Sequence, residues 1–202
     1  MTTVERRTKS AFAIWVTGLP ASGKSTLVAS LKAELENRGA DVAVLESDSL
    51  REILTPNPRY GEKERELFYR QMTYIGTLLV DHGVPVIFDA TANRRCYRDE
   101  ARAKISRFLE VYINCPLAVS MSRATKGIYQ KGREGKSGTV PGLQTAYEAP
   151  ENPALVIHSD REAPQVAAQR VIAKLVEKGC LRDAPLTVHG ERNRCDQQKD
   201  QE

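Results

Sequence analysis

The stretch Ala11–Thr26, "AFAIWVTGLPASGKST", constrains the fold more than any other part of this chain. An almost wholly apolar run from Ala11 to Thr17 leads into Gly18, and a helical pattern begins at Lys24. Gly18, Gly23, Lys24 and Ser25 satisfy the spacing G-x-x-x-x-G-K-[ST]. Chemistry explains why these residue types recur at this spacing. Glycines let backbone N–H groups turn inward around phosphates, where a Cβ would obstruct the turn. Lys24 can reach the β- and γ-phosphates, and Ser25 offers a hydroxyl to Mg²⁺. The following helix points its positive end at the anion. A chance match on a Gly/Ser-rich turn would lack the strand before and the helix after. The residues expected around the phosphates are Gly18, Leu19, Pro20, Ala21, Ser22, Gly23, Lys24, Ser25 and Thr26.

Apolar runs at about 11–17, 41–46, 84–89, 109–114 and 154–158 read as strands. Helical patterns at Lys24–Arg38, Glu62–His82, Arg94–Phe108, Leu117–Ala124 and Pro164–Lys178 alternate with them. This predicts an α/β domain over 11–180, with a parallel sheet of about five strands covered by helices on both faces. Residues 1–10 form a polar N-terminal arm, and 181–202 are polar and aperiodic, as expected of a disordered tail. Residues 125–142 are rich in glycine and in Lys/Arg, and a loop this long inside a domain is usually functional.

Composition narrows the class of function. A hydrophobic content of 41 % with 28 % charged residues suits a soluble globular domain. The net charge of +4, with no purely basic block, favours anionic small molecules over a long nucleic-acid tract. No apolar run approaches the ~20 residues needed to span a membrane, and the N-terminus lacks the apolar core of a signal peptide. Cys96, Cys115, Cys180 and Cys195 are scattered with no C-x-x-C pair, which fits reduced thiols and a cytoplasmic setting. Small nucleotides are the expected partners, with no membrane and no nucleic acid, and a homodimer is compatible with the sequence.

A phosphate loop serves kinases, motor ATPases and GTPase switches alike. The chain has no base-reading N-K-x-D, so the switch reading drops. The second strand ends in "VLESDSLRE", placing Asp48 at the carboxyl edge of the sheet and Arg51 one helical turn on. A carboxylate there can orient an acceptor hydroxyl or hold Mg²⁺ through water, and an arginine can clamp an acidic acceptor. Spacing alone leaves it equally open that Asp48 caps a helix and Arg51 is a solvated charge. Asp89, in "IFDATANRR", ends the third strand and either assists Mg²⁺ or caps the next helix. That segment looks like the D-x-T-N segment of polynucleotide-kinase-like and small-molecule kinases. Trp15 reads as core.

From about Ile14 to Ile157 the sequence resembles adenylylsulfate kinase, the P-loop enzyme that phosphorylates the 3′-hydroxyl of adenosine 5′-phosphosulfate using MgATP. The resemblance rests on "GLPASGKST", "LESDSLR", "EKER", "EVYINCPL", "KGIYQKGREG" and "YEAPENPAL". It implies ATP and Mg²⁺ on the phosphate loop, Lys24 and Asp48 as catalytic residues, and Ser25 as a metal ligand; Asp89 as a second metal ligand follows instead from the D-x-T-N likeness. It implies Arg123 at the base of a mobile lid spanning 125–142. It places Asp48, Arg51, Arg65, Phe68, Thr91, Arg94 and Lys126 at the acceptor.

Several positions depart from the family pattern. D-G-D-N-x-R is here Glu46-Ser47-Asp48-Ser49-Leu50-Arg51, and Phe68 stands where the family has an asparagine. F-T-G-I-D is Val140-Pro141-Gly142-Leu143-Gln144, so an aromatic expected near the acceptor base is missing, and F-I-S-P is Asp89-Ala90-Thr91-Ala92. On this reading Phe68→Asn is expected to improve the fit of adenylylsulfate. The alternative is a kinase of the same build acting on another nucleotide derivative or phosphorylated small molecule. A nucleic-acid 5′-hydroxyl kinase and a non-catalytic nucleotide-binding protein compete less well, given the mild charge and the intact Lys24, Ser25 and Asp48.

Overall fold

The computed structural model describes residues 11–124, 129–130 and 139–182. The expected arm, the tail beyond Arg182 and most of the expected lid, Lys126 included, lie outside the described residues. The elements run β1 (Ala13–Gly18), α1 (Lys24–Asn37), β2 (Ala43–Glu46), α2 (Ser47–Leu54), α3 (Glu62–Asp81) and β3 (Val86–Asp89). They continue with α4 (Arg95–Lys104), β4 (Phe108–Ile113), α5 (Leu117–Arg123), β5 (Leu155–Ile157) and α6 (Pro164–Glu177). The five strands form one parallel sheet in the order β2-β3-β1-β4-β5.

Alternation along β1 sorts the core into two layers. Phe12, Ile14 and Val16 face α1 and α6, packing with Leu31, Leu35, Val171 and Leu175. Ala13 and Trp15 face α3 and α4, packing with Phe68, Tyr69, Met72 and Tyr97. Trp15 is fully buried, stacks on Phe88 at 4.5 Å between ring centroids and donates its indole N–H to the Ala90 carbonyl at 3.2 Å. Helix α3 can come this close to the sheet because residue 76 is glycine: a Cβ there would sit 2.1 Å from the Phe88 ring.

All five strands fall where the apolar runs place them. Two helical features differ. Ser47–Leu54 forms a helix that the periodicity does not announce, since its eight residues carry only three scattered apolar side chains. Helix α4 stops at Lys104 rather than Phe108, because Ile105 turns extended and Phe108 opens β4 opposite Ala13. Among the described residues no helix is long and apolar enough to cross a membrane.

Candidate active site

Parallel strands bring their carboxyl ends to one edge. Glu46, Asp89, Ile113 and Ile157, the last residues of β2 to β5, line a cleft of about 910 Å³ there. Open α/β sheets bind ligands at this edge, and the volume is that of a small-molecule site.

The loop between β1 and α1 forms the floor. Gly23 sits at φ 98°, a conformation that needs glycine, and hands the chain into α1. Lys24 folds back so that its Nζ donates to the carbonyls of Gly18 at 3.3 Å and Leu19 at 2.9 Å. Burial pulls the Lys24 pKa below its ordinary value, opposed by the charges of Asp89 and Asp48. Asp89 is 4 % exposed; burial raises its pKa, against a hydrogen bond from Ser25 and the charge of Lys24. Neither carboxylate serves as a helix cap. Helix α2 starts after Glu46 and carries Asp48 in its first turn. The Glu148 carboxylate, not Asp89, accepts from the first amide of α4, Arg95 N, at 2.8 Å.

At one side of the floor, α2 and α3 present two arginines. Arg51 is 6 % exposed, yet its Nη1 is buried with no hydrogen-bond partner and lies 3.8 Å from the Glu64 carboxylate. The guanidinium sits between two rings, 3.7 Å from the Phe68 centroid and 5.0 Å from that of Tyr60. Arg65 donates to the Tyr60 carbonyl at 2.9 Å, Asn93 Oδ1 at 3.1 Å and the Thr139 carbonyl at 2.5 Å. Thr91 also faces the cleft, with its carbonyl accepting from the Thr17 hydroxyl at 2.7 Å.

On the opposite side, Arg123 at the end of α5 donates to the Ser159 carbonyl at 3.1 Å. The Ser159 hydroxyl in turn donates to the Ser22 carbonyl at 2.6 Å, tying the turn after β5 to the phosphate loop. Tyr129 reaches the same loop, donating to the Pro20 carbonyl at 2.9 Å.

Lys24, Ser25, Asp48, Arg51, Arg65, Asp89, Thr91 and Arg123 thus line one cleft. Two sequence candidates sit elsewhere. Phe68 is fully buried beneath Arg51, where an apolar ring fills the space between α3 and the sheet, and it is not part of the wall. Arg94 turns outward and pairs with Glu62 on the surface. Tyr60, at φ 55°, and Ser159 also line the cleft, and neither is marked out by a motif in the sequence. Tyr60 supplies an aromatic face to the cleft beside Arg51, where Val140 offers none.

A central parallel strand feeding a phosphate loop and a helix, with acidic and basic groups converging beyond it, defines a P-loop kinase. The family model for adenylylsulphate kinase matches residues 10–158, and the chain belongs to that family. A probable adenylyl-sulfate kinase of Pyrococcus abyssi is 37 % identical over 170 residues, 84 % of this chain and 98 % of the relative. A probable bifunctional SAT/APS kinase of Sorangium cellulosum is 35 % identical over 183 residues; they are 90 % of this chain but span 32 % of that longer protein. Among solved structures, the Mycobacterium tuberculosis APS kinase in complex with AMPPNP and APS superposes with a TM-score of 0.77 at 30 % identity. That match covers 82 % of this chain and 98 % of the other.

Proposed function

We propose that this chain transfers the γ-phosphoryl group of MgATP to the 3′-hydroxyl of adenosine 5′-phosphosulfate. The observation that carries the reading, beyond family membership, is Arg51. A buried guanidinium nitrogen without a hydrogen-bond partner is costly unless a ligand completes it. The phosphosulfate bridge is an anion suited to that group and to the N–H groups that Arg65 retains.

The loop from Gly18 to Thr26 would hold the phosphates of ATP, with Arg123 and Ser159 on the cleft wall beside it. Lys24 neutralises charge on the transferring group, and its desolvated surroundings strengthen that interaction. Asp48 accepts a hydrogen bond from the acceptor hydroxyl and orients it toward the phosphoryl group. The paired oxygens of Ser25 and Asp89 fit Mg²⁺, a hard ion that takes few protein ligands and keeps water and phosphate oxygens. Among the described residues there is no cluster of three His, Cys, Asp or Glu side chains that could hold a metal ion. When bound, the ion offsets charge on the β- and γ-phosphate oxygens.

A coupled ADP-release assay with adenosine 5′-phosphosulfate, other nucleotides, sugars and DNA 5′-ends tests the reading. Turnover is expected with adenosine 5′-phosphosulfate and should be nearly abolished in Lys24→Ala with the thermal melt preserved. Turnover confined to another acceptor would overturn it.

A further inference from the structure

Asn93 directly follows the departure from the family pattern at Asp89–Ala92, and the phosphate chemistry uses Asp89 and leaves Asn93 without a role. Asn93 is 2 % exposed and does not line the cleft. Both ends of its side-chain amide are nevertheless committed to partners far along the chain. Oδ1 accepts from Arg65 Nη1 at 3.1 Å, and Nδ2 donates to the Ala146 carbonyl at 3.1 Å. Its backbone carbonyl accepts from the Glu148 amide at 2.8 Å. From below, Arg98 donates to the Ala92 carbonyl and, at 2.7 Å, to the Glu148 carbonyl. Asn93 is therefore held rigidly while it holds Arg65.

Arg65 divides its donors among three segments: the Tyr60 carbonyl before α3, Asn93 after β3, and Thr139 at the root of the 125–142 stretch. Tyr60 and Thr139 are cleft walls. A guanidinium is planar, so fixing Nε and both Nη atoms fixes the plane and the direction in which its remaining N–H groups point.

We propose that Asn93 is the positioning residue for Arg65: by accepting from Nη1 it sets the guanidinium plane, holds Tyr60 and Thr139 in register, and aims the remaining N–H groups at an anionic acceptor. The proposal rests on the reading of this side of the cleft as the site for adenosine 5′-phosphosulfate. It assigns a function to a residue that lies behind the wall and touches no substrate.

Two variants test it, with one readout that needs no turnover. Asn93→Ala removes the acceptor atom; the KM for adenosine 5′-phosphosulfate should rise about tenfold, the scale of one lost hydrogen bond to a charged group. The KM for ATP should stay within twofold, or roughly the scatter of a neutral change. Asn93→Asp keeps an acceptor for Arg65 but cancels its charge, so it too should raise the KM for the acceptor. Hydrogen exchange in the nucleotide-free protein separates the two. Peptides covering residues 58–65, which Arg65 ties through the Tyr60 carbonyl, should exchange faster in Asn93→Ala. They should stay close to wild type in Asn93→Asp, which keeps an acceptor for Arg65 while losing the donor to Ala146. A merely structural role predicts instead a lower melting temperature with both KM values unchanged. Unchanged acceptor KM and unchanged exchange in a folded Asn93→Ala would overturn the proposal. Should Asn93→Ala not fold, Asn93→Asp decides through its acceptor KM, and an unchanged value would overturn the proposal. Should the wild type not use adenosine 5′-phosphosulfate, the functional reading falls, and the positioning of Arg65 stands or falls on the exchange data alone.

Discussion

The Arg51 guanidinium lies 3.7 Å above the ring of Phe68, and both residues are buried. A desolvated cation over an aromatic face gains roughly 2 kcal/mol, and on the proposed function the ring orients the charge that an anionic acceptor would meet. Asparagine at position 68 would lose that stacking and bury an amide against Tyr69 and Met72. The expectation drawn from sequence, that Phe68→Asn improves the fit, is thereby reversed. Phe68→Asn should lower stability by about 3 kcal/mol and raise the KM for the acceptor. Phe68→Leu should keep most of the stability while raising the same KM several-fold. Urea melts and steady-state kinetics on both variants check this; a gain in kcat/KM for Phe68→Asn would refute it.

Beneath the cleft, Glu110 is enclosed by two arginines. It accepts from Arg98 at 2.6 Å and also pairs with Arg102, at 3 % exposure. Removing one partner of a buried pair leaves an uncompensated charge, a loss of about 3–5 kcal/mol. Glu110→Gln should fall near the lower end of that range in urea denaturation, since the amide still accepts one hydrogen bond. A loss under about 1 kcal/mol would mean that Arg98 is held by the Ala92 and Glu148 carbonyls instead.

Tyr129 gives a pH signature. Burial pushes its phenol up to about 12, so it remains a donor to the Pro20 carbonyl throughout the neutral range. The folded state therefore keeps this proton after the unfolded chain has lost it. Its contribution is fully present below the ordinary tyrosine pKa of 10.0 and is lost as pH rises toward about 12. Tyr129→Phe should cost about 1 kcal/mol at neutral pH through the lost hydrogen bond, and make the alkaline loss of stability shallower. Chemical denaturation at a series of pH values reads both; an unchanged alkaline slope would contradict the burial of this phenol.

Much of this architecture was legible because its causes are local. The strands are short apolar runs buried on both faces, and the phosphate loop is set by glycine and lysine spacing. Asp89 ends β3, and Lys24, Asp48 and Arg51 come shortly after the ends of β1 and β2, so placing the strands places them. What escaped depends on contacts distant in sequence. Ser159 meets Ser22 across 137 residues, and Asn93 meets Arg65 from another layer. Phe68 and Arg94 were assigned to the acceptor by position in a motif, whereas the rotation of α3 turns Phe68 into the core, and Arg94, the extended residue before α4, pairs with Glu62 at the surface. Tyr60 depends on a left-handed backbone conformation that an aromatic residue does not announce.

The central claim is that the buried Arg51 side of the cleft receives the phosphosulfate of the acceptor. Initial rates with adenosine 5′-phosphosulfate as the varied substrate, in wild type and Arg51→Ala, test it most directly. The account predicts turnover by the wild type and a fall in kcat/KM of about 10- to 100-fold in the variant, the scale of one charge-assisted contact, with the KM for ATP unchanged. Equal kcat/KM values in the two proteins, or no turnover by the wild type alongside robust phosphorylation of a different acceptor, would contradict it.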